Sequence, residues 1–155
     1  MLRDFAIVCS NRMPLRKAKK SDTASIMLIE AEAQPHPWRA NQFEVEFDTA
    51  WSTVVVVEED KFMLGYIVYW ETDVFQILNI AISKDARRRQ YGTQLLMGVL
   101  KGASKLRKDV FLEVRENNQG AIAFYQKHGF KVIQTRINYY KEPKEDALVM
   151  RWLHE

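Results

Sequence analysis

Residues 79–93 read Asn-Ile-Ala-Ile-Ser-Lys-Asp-Ala-Arg-Arg-Arg-Gln-Tyr-Gly-Thr and join two strongly patterned segments of the chain. Before them, residues 74–82 are apolar on both faces apart from Gln76 and Asn79, which is typical of a central strand covered on both sides. After them, apolar residues recur at helical spacing from Gly92 to Leu106. The stretch therefore predicts a buried strand, a basic turn and a long helix.

The turn itself has the composition of an anion-binding site. A helix N-terminus leaves backbone N–H groups without partners, and its dipole favours a negative charge. Gly92 would let the backbone approach a phosphate closely, and Arg87, Arg88 and Arg89 add positive charge. The turn predicts a pyrophosphate-bearing ligand, although a merely basic loop with a glycine at a helix start fits the spacing equally well. It has neither a Walker lysine nor the three-glycine dinucleotide fingerprint.

The rest of the chain places this unit in a mixed sheet. The strand, the long helix and a further strand at 109–114 form a crossover unit, so those two strands should run parallel. The other predicted helices cover 21–33, 39–48 and 121–128, and the other predicted strands cover 13–17, 53–58, 62–70, 130–139 and 145–152. This order predicts a single α/β domain with six or seven strands and helices on both faces of the sheet.

Composition limits the functional classes. The 155 residues are 47% hydrophobic and 28% charged, as in an ordinary globular protein. A net charge of +3 is too small to indicate a nucleic-acid partner, and the apolar segments are shorter than the roughly 20 residues of a membrane span. One cysteine and three scattered histidines give no metal-site spacing. With no signal-peptide pattern at its start, the chain is expected in the cytoplasm, with residues 1–12 as an extension of a domain over 13–155.

The turn also carries a family resemblance. A strand ending in Asn79-Ile80-Ala81-Ile82, followed by Arg87-x-x-x-x-Gly92 and a helix, resembles motif A of the GNAT acetyltransferases. Gln90 stands where that motif has its middle glycine, which costs roughly 1–2 kcal/mol if the position needs a positive φ. The resemblance implies acetyl-CoA as co-substrate and a splayed central strand pair in a GNAT fold. The residues it assigns to the cofactor are Ile80, Ala81, Ile82, Arg87, Arg88, Arg89, Gln90, Tyr91, Gly92, Thr93 and Asn118.

Further motifs are similar to the RimI-type ribosomal-protein N-terminal acetyltransferases, in their order and near their spacing. They are His36-Pro37-Trp38, Leu112-Glu113-Val114-Arg115, Asn118, Ala121-Ile122, Tyr125, Gly129-Phe130, Tyr139-Tyr140 and Glu145-Asp146-Ala147. This resemblance implies acetylation of a protein N-terminus, with a ribosomal protein as the expected partner. It also implies that Trp38, Tyr139 and Tyr140 wall a peptide-binding groove.

Two residues are candidates for proton transfer. Glu113 lies inside an apolar strand segment, where partial desolvation would make its carboxylate a better base. By strand alternation Arg115 shares its face, so the alternative is an ordinary surface ion pair between them. The resemblance assigns Glu113 as general base and Tyr125 as the general acid that protonates the CoA thiolate. The alternatives are a core tyrosine at Tyr125 and a helix cap at Asn118.

The sequence is compatible with three functions. The first is transfer of acetyl from acetyl-CoA to an α-amine by direct attack in a ternary complex, because Cys9 and Ser10 have no recognisable base partner. The second keeps the fold and cofactor but uses a lysine, polyamine or antibiotic amine as acceptor. The third is a non-catalytic acyl-CoA-binding module, suggested by Gln90 in the turn. The oligomeric state is left open.

Overall fold

The computed structural model of the protein describes residues 15–155. The proposed extension over 1–12, the start of the first predicted strand, and Cys9 and Ser10 lie outside the described residues. The strands are β1 Leu15–Lys17, β2 Ser52–Glu59, β3 Phe62–Glu71, β4 Phe75–Ile82, β5 Val110–Arg115, β6 Lys131–Lys141 and β7 Lys144–Trp152. The α-helices are α1 Thr23–Ala33, α2 Ala40–Asp48, α3 Tyr91–Lys105 and α4 Gln119–Lys127, with short 3-10 turns at Lys20–Asp22 and Lys84–Ala86.

All seven strands form one sheet, in the order β1-β2-β3-β4-β5-β7-β6. The β4–β5 pair is parallel, as the strand–helix–strand unit predicts, and the other neighbouring pairs are antiparallel. Helices α3 and α4 cover one face with a core that includes Leu95, Val99 and Ile122. Helices α1 and α2 cover the other face with Ile26 and Phe43. The predicted mixed sheet with helices on both faces is confirmed.

The central strand pair separates after only three residue pairs. Phe75, Gln76 and Ile77 of β4 pair with Val110, Phe111 and Leu112 of β5, and the later residues of β4 have no partner in β5. A register shift against β3 leaves Leu78 as an extra residue, since Val68 faces Asn79 while Tyr69 faces Ile77. This β-bulge bends β4 where the pairing stops. The predicted splay is therefore confirmed, and it opens a groove across the sheet.

A charged clamp lies at the closed end of the splay. The backbone carbonyl of Asp109 accepts from the Phe75 N–H of β4 at 2.9 Å. The Asp109 carboxylate accepts from Arg151 Nε at 3.0 Å and from the His154 backbone N–H at 3.2 Å. The Arg151 guanidinium, with His154, lowers the pKa of Asp109 to about 2. The clamp ties the start of β5 to the end of β7 beside Phe75, the first paired residue of β4.

The helices of residues 15–155 are all too short or too polar to cross a lipid bilayer.

Replacing Asp109 with Asn should lower the free energy of unfolding by roughly 1 kcal/mol at pH 7. The pKa of Asp109 is depressed in the folded state, so its stabilisation is present above the unfolded value near 4 and is lost as pH falls towards 2. Urea denaturation of parent and variant between pH 2 and 7 measures the difference. Asp73→Asn, at an exposed turn position, is the matched control and should show no such pH dependence. A constant difference across this range would contradict the ion-pair account.

Candidate active site

A groove of about 850 Å³ crosses the sheet where β4 and β5 separate. It is lined by the open halves of both strands, the loop between α1 and α2, the start of α4 and the β6–β7 hairpin. Of the residues predicted from the sequence, it brings together Trp38, Ile80, Ala81, Ile82, Arg87, Gly92, Glu113, Asn118, Tyr125 and Tyr140. The other predicted residues, Arg88, Arg89, Gln90, Tyr91, Thr93 and Tyr139, lie outside its lining.

The open edge of β4 presents backbone groups to the groove. The Ser83 N–H donates to the Leu64 carbonyl of β3 at 2.7 Å, and Ala81 pairs with Tyr66 two residues earlier. Hydrogen-bonded and non-hydrogen-bonded pairs alternate in an antiparallel ladder. The N–H and C=O groups of Ile80 and Ile82 therefore point away from β3 and into the space that β5 has left.

The basic turn ends in unpaired helix amides. The first α3 bond within the helix runs from the Gln94 N–H to the Gln90 carbonyl at 3.0 Å, so the N–H groups of residues 91–93 have no partner inside the helix. Arg88 has φ 63° and Gln90 has φ 70°, so the turn contains two left-handed residues. The three arginines are exposed around it. Such a turn suits an anion.

Tyr91 differs from its neighbours in the turn because its side chain belongs to the core. It is 7% exposed, and its hydroxyl donates to Glu59 Oε2 at 3.3 Å. Any contact of Tyr91 with a ligand at the turn would come from its backbone N–H.

The Glu113 side chain lies on the face of the sheet opposite to the one that α3 and α4 cover. Its neighbours Leu112 and Val114 point into the core beneath those helices, so alternation places Glu113 on the opposite face. Glu113 Oε1 lies 3.4 Å from Arg136 Nε, and its side chain is 18% exposed. The Tyr139 hydroxyl donates to this carboxylate, which raises the pKa of Tyr139. Glu113 is thus a half-buried carboxylate held by two side chains of β6.

Arg115 pairs with a different carboxylate from the one the alternation suggests. Its guanidinium lies 3.7 Å from Glu145 Oε1 and 3.9 Å from the centre of the Tyr140 ring. The alternative prediction of a surface ion pair between Glu113 and Arg115 is therefore wrong. The two residues instead contact side chains of β6 and β7, whose pairing shifts in register between Arg136 and Tyr140.

Tyr125 packs edge-on between Phe124 and Phe130, with ring centres 5.3 and 5.5 Å away. Only 6% of the residue is exposed, yet it lines the groove. Within residues 15–155 its hydroxyl has no hydrogen-bond partner. Burial raises the pKa of Tyr125, so the phenol stays protonated at neutral pH. Its hydroxyl can therefore donate to a group bound in the groove.

Asn118 caps α4, and Trp38 anchors the loop between α1 and α2. The Asn118 Oδ1 accepts from the Ala121 N–H at 3.1 Å, which confirms the helix-cap interpretation while leaving the residue on the groove wall. The Trp38 ring lies 5.1 Å from Phe43, and its backbone N–H donates to Glu30 Oε1 at 3.0 Å. Both groove residues are therefore fixed by local contacts.

The sequence profile of the Acetyltransferase (GNAT) family matches residues 23–130 of this chain. The chain belongs to this family. It is therefore an acetyltransferase, and acetyl-CoA is its acyl donor.

Within the GNAT family, two relatives and one solved structure are similar to this chain over most of its length. A Bacillus subtilis (strain 168) protein, provisionally named a ribosomal protein bS18-alanine N-acetyltransferase, is 32% identical over 88% of this chain and 92% of its own. The Escherichia coli (strain K12) ribosomal protein bS18-alanine N-acetyltransferase is 29% identical over 84% of this chain and 90% of its own. The crystal structure of the Escherichia coli ribosomal-protein-S18-alanine N-acetyltransferase has a TM-score of 0.82 at 26% identity, covering 90% and 92% of the two chains.

Glu30, Gln34 and Asn79 are polar residues that line this GNAT groove and that the sequence did not predict as site residues. Glu30 shares the buried face of α1 with Ile26 and Ile29, at the spacing expected of a core residue. Asn79 interrupts an otherwise apolar strand. Glu30 and Asn79 are each a polar residue inside an apolar pattern. Because buried polar groups need hydrogen-bond partners, the sequence could have indicated that these two residues contact each other.

Gln90→Gly should raise the free energy of unfolding by up to about 1 kcal/mol. A non-glycine residue at φ 70° costs roughly 1–2 kcal/mol, and glycine gives back about half of that in backbone entropy. Acetyl-CoA affinity should stay equal or improve, because the Gln90 side chain is exposed and outside the groove. Thermal unfolding and calorimetric titration measure both quantities. Gln90→Ala keeps the strained φ and serves as control; a large loss of affinity in Gln90→Gly would show that the side chain contacts the ligand.

Proposed function

We propose that this GNAT protein transfers acetyl from acetyl-CoA to the N-terminal α-amine of a protein, with a ribosomal protein of the bS18 type as the acceptor. The observation that supports it best is the groove at the splay, which contains Glu113 from one strand and Tyr125 from the helix beside it. The choice of acceptor is supported by two relatives that are named for acetylating the alanine of ribosomal protein bS18. They are similar to this chain over 88% and 84% of its length. A ribosomal-protein acceptor would put the reaction in the cytoplasm.

The groove and the basic turn beside it together suit acetyl-CoA. The free N–H groups of residues 91–93 and the arginines of the turn would hold the pyrophosphate. The pantetheine arm would lie along β4 like an added strand, on the groove-facing groups of Ile80 and Ile82. Asn118 would contact the arm from the start of α4.

Glu113 is proposed to take the proton of the attacking amine, directly or through a water molecule. The amine nitrogen then bonds to the acetyl carbon while the carbon–sulfur bond breaks. Tyr125 is proposed to donate its phenolic proton to the departing thiolate. Because burial raises the pKa of Tyr125, the phenol is in the donating form throughout the neutral range. No covalent acyl-enzyme is needed.

Trp38, Tyr139 and Tyr140 are proposed to bind the acceptor peptide. Trp38 lines the groove from the α1–α2 loop and Tyr140 lines it from β6, and Tyr139, which is 44% exposed, packs edge-on against Tyr140. Aromatic walls suit an extended peptide chain better than a small polyamine. An α-amine has a pKa near 8 and a lysine amine near 10.4, so the α-amine is also easier to deprotonate at neutral pH.

Glu113→Gln should lower turnover on an alanine-starting peptide at pH 7 by roughly 100-fold or more, the usual contribution of a general base. By about pH 9 the α-amine is deprotonated without help, so the variant should recover much of its activity. A peptide whose only free amine is a lysine should show far less recovery. The measurement is a pH–rate series with both peptides on both proteins.

Glu116→Gln is the matched control, because Glu116 is an exposed glutamate just beyond the end of β5. It should behave like the parent at every pH. A Glu113→Gln variant as active as the parent at pH 7 would remove Glu113 from the chemistry. A parent protein that prefers the lysine peptide would overturn the α-amine acceptor, and binding of acetyl-CoA with no transfer to either peptide would favour a non-catalytic module.

A further inference from the structure

A buried carboxylate lies beneath the groove and takes no part in the proposed chemistry. Glu30 of α1 is 1% exposed and accepts four hydrogen bonds. The donors are the Tyr66 hydroxyl, the Trp38 backbone N–H at 3.0 Å, and the Asn79 amide, which lies 3.1 Å from each carboxylate oxygen. None of the ion pairs within residues 15–155 includes Glu30. Its carboxylate thus joins α1, the α1–α2 loop and the bulge of β4.

Gln34 extends this network to the edge of the groove. Its Nε2 donates to the Ile80 carbonyl at 3.1 Å and to Asn79 Oδ1 at 3.2 Å. A carbonyl oxygen can only accept, so the Ile80 contact fixes which end of the Gln34 amide faces it. That contact in turn directs the Asn79 amide nitrogen towards Glu30. The orientations of the three side chains are therefore mutually determined.

The Ile80 carbonyl is one of the groups that point into the open splay. Gln34 donates a hydrogen bond to this carbonyl. The backbone groups left for a ligand on this edge are therefore the N–H of Ile80 and the N–H and C=O of Ile82. The edge next to the bulge consequently presents a hydrogen-bond donor rather than an acceptor. A thioester oxygen that gains negative charge would be attracted by the N–H and repelled by an uncapped carbonyl.

The position of Gln34 matches the acyl end of the ligand. If the pyrophosphate lies at the turn beyond Ile82 and the arm follows β4 towards Ile77, the acetyl group lies nearest the closed end of the splay. That end contains Leu78, Asn79 and Ile80. This step rests on the proposed placement of acetyl-CoA.

We propose that Gln34 is a positioning residue for acetyl transfer: anchored through Asn79 to buried Glu30, it caps the Ile80 carbonyl and fixes the strand edge that receives the acetyl group. Gln34 acts through the backbone of Ile80 and touches none of the reacting atoms. Its effect should therefore depend on whether the ligand carries an acetyl group.

The test compares acetyl-CoA with CoA in calorimetric titrations of the parent and of Gln34→Leu, which removes the donor with little change in volume. The affinity for acetyl-CoA relative to CoA should fall by about 3- to 10-fold, as expected for the loss of one hydrogen bond. CoA affinity itself should change little. Turnover on an α-amine peptide should fall at least about 10-fold with a small change in the KM of the peptide, because a small misplacement of the reacting group is costly.

Two further variants separate positioning from folding. Gln34→Met keeps nearly the length and volume of the side chain but has no hydrogen-bond donor, so it should reproduce the loss of discrimination between acetyl-CoA and CoA. Gln126→Leu, the same change at an exposed position of α4 outside the groove lining, should resemble the parent. Circular dichroism and thermal unfolding of each variant report whether the fold is kept.

Unchanged relative affinity and unchanged turnover in both Gln34 variants would overturn the proposal. Equal losses of affinity for acetyl-CoA and CoA would also overturn it, since they would reflect general damage to the groove. If the parent transfers acetyl to no peptide but the variants still lose the discrimination, the proposed function fails while the positioning role of Gln34 stands.

Discussion

The functional architecture of this protein depends on one constraint, the termination of β4–β5 hydrogen bonding after three residue pairs. If the β4–β5 pairing continued, β5 would provide hydrogen-bond partners for the backbone groups of Ile80 and Ile82, and the sheet would have no groove. The Leu78 bulge bends β4 away at that point, and the Asp109 clamp holds the paired end together. Unpaired strand edges inside a sheet are unfavourable unless another partner meets them. The edge is thus ready to accept a strand-like ligand arm.

The polar network under the groove follows from the same constraint. A bulge places two consecutive side chains on one face, so Leu78 and Asn79 both face α1, and Asn79 must find partners in an apolar layer. Glu30 supplies them, although burial raises the pKa of its carboxyl group. The same carboxylate accepts from the Trp38 N–H, so the bulge of β4 and the loop proposed to bind the acceptor share one anchor. The two sides of the groove are therefore built on a common buried group.

Patterns that depend on neighbouring residues were predictable from the sequence. The basic turn, the long helix, the parallel crossover and the face of Glu113 all follow from local periodicity, and the suspected strain at Gln90 is confirmed by its φ of 70°. Contacts that depend on a register shift were not predictable. Glu113 contacts Arg136 and Tyr139 of β6, where Ile137, Asn138 and Tyr139 together oppose a single residue of β7, and strand alternation carries no sign of that insertion. Glu30 was missed because its helical spacing is that of a core residue.

The most direct test of the splay is amide hydrogen exchange at single-residue resolution, measured with and without acetyl-CoA. The amides of Ile80 and Ile82 face the groove, whereas that of Ala81 is directed towards β3. Acetyl-CoA should slow exchange at Ile80 and Ile82 and at residues 91–93, while Ala81 is already protected and should change little. Equal protection of Ile80, Ala81 and Ile82 in the free protein, with no change on adding acetyl-CoA, would contradict this expectation.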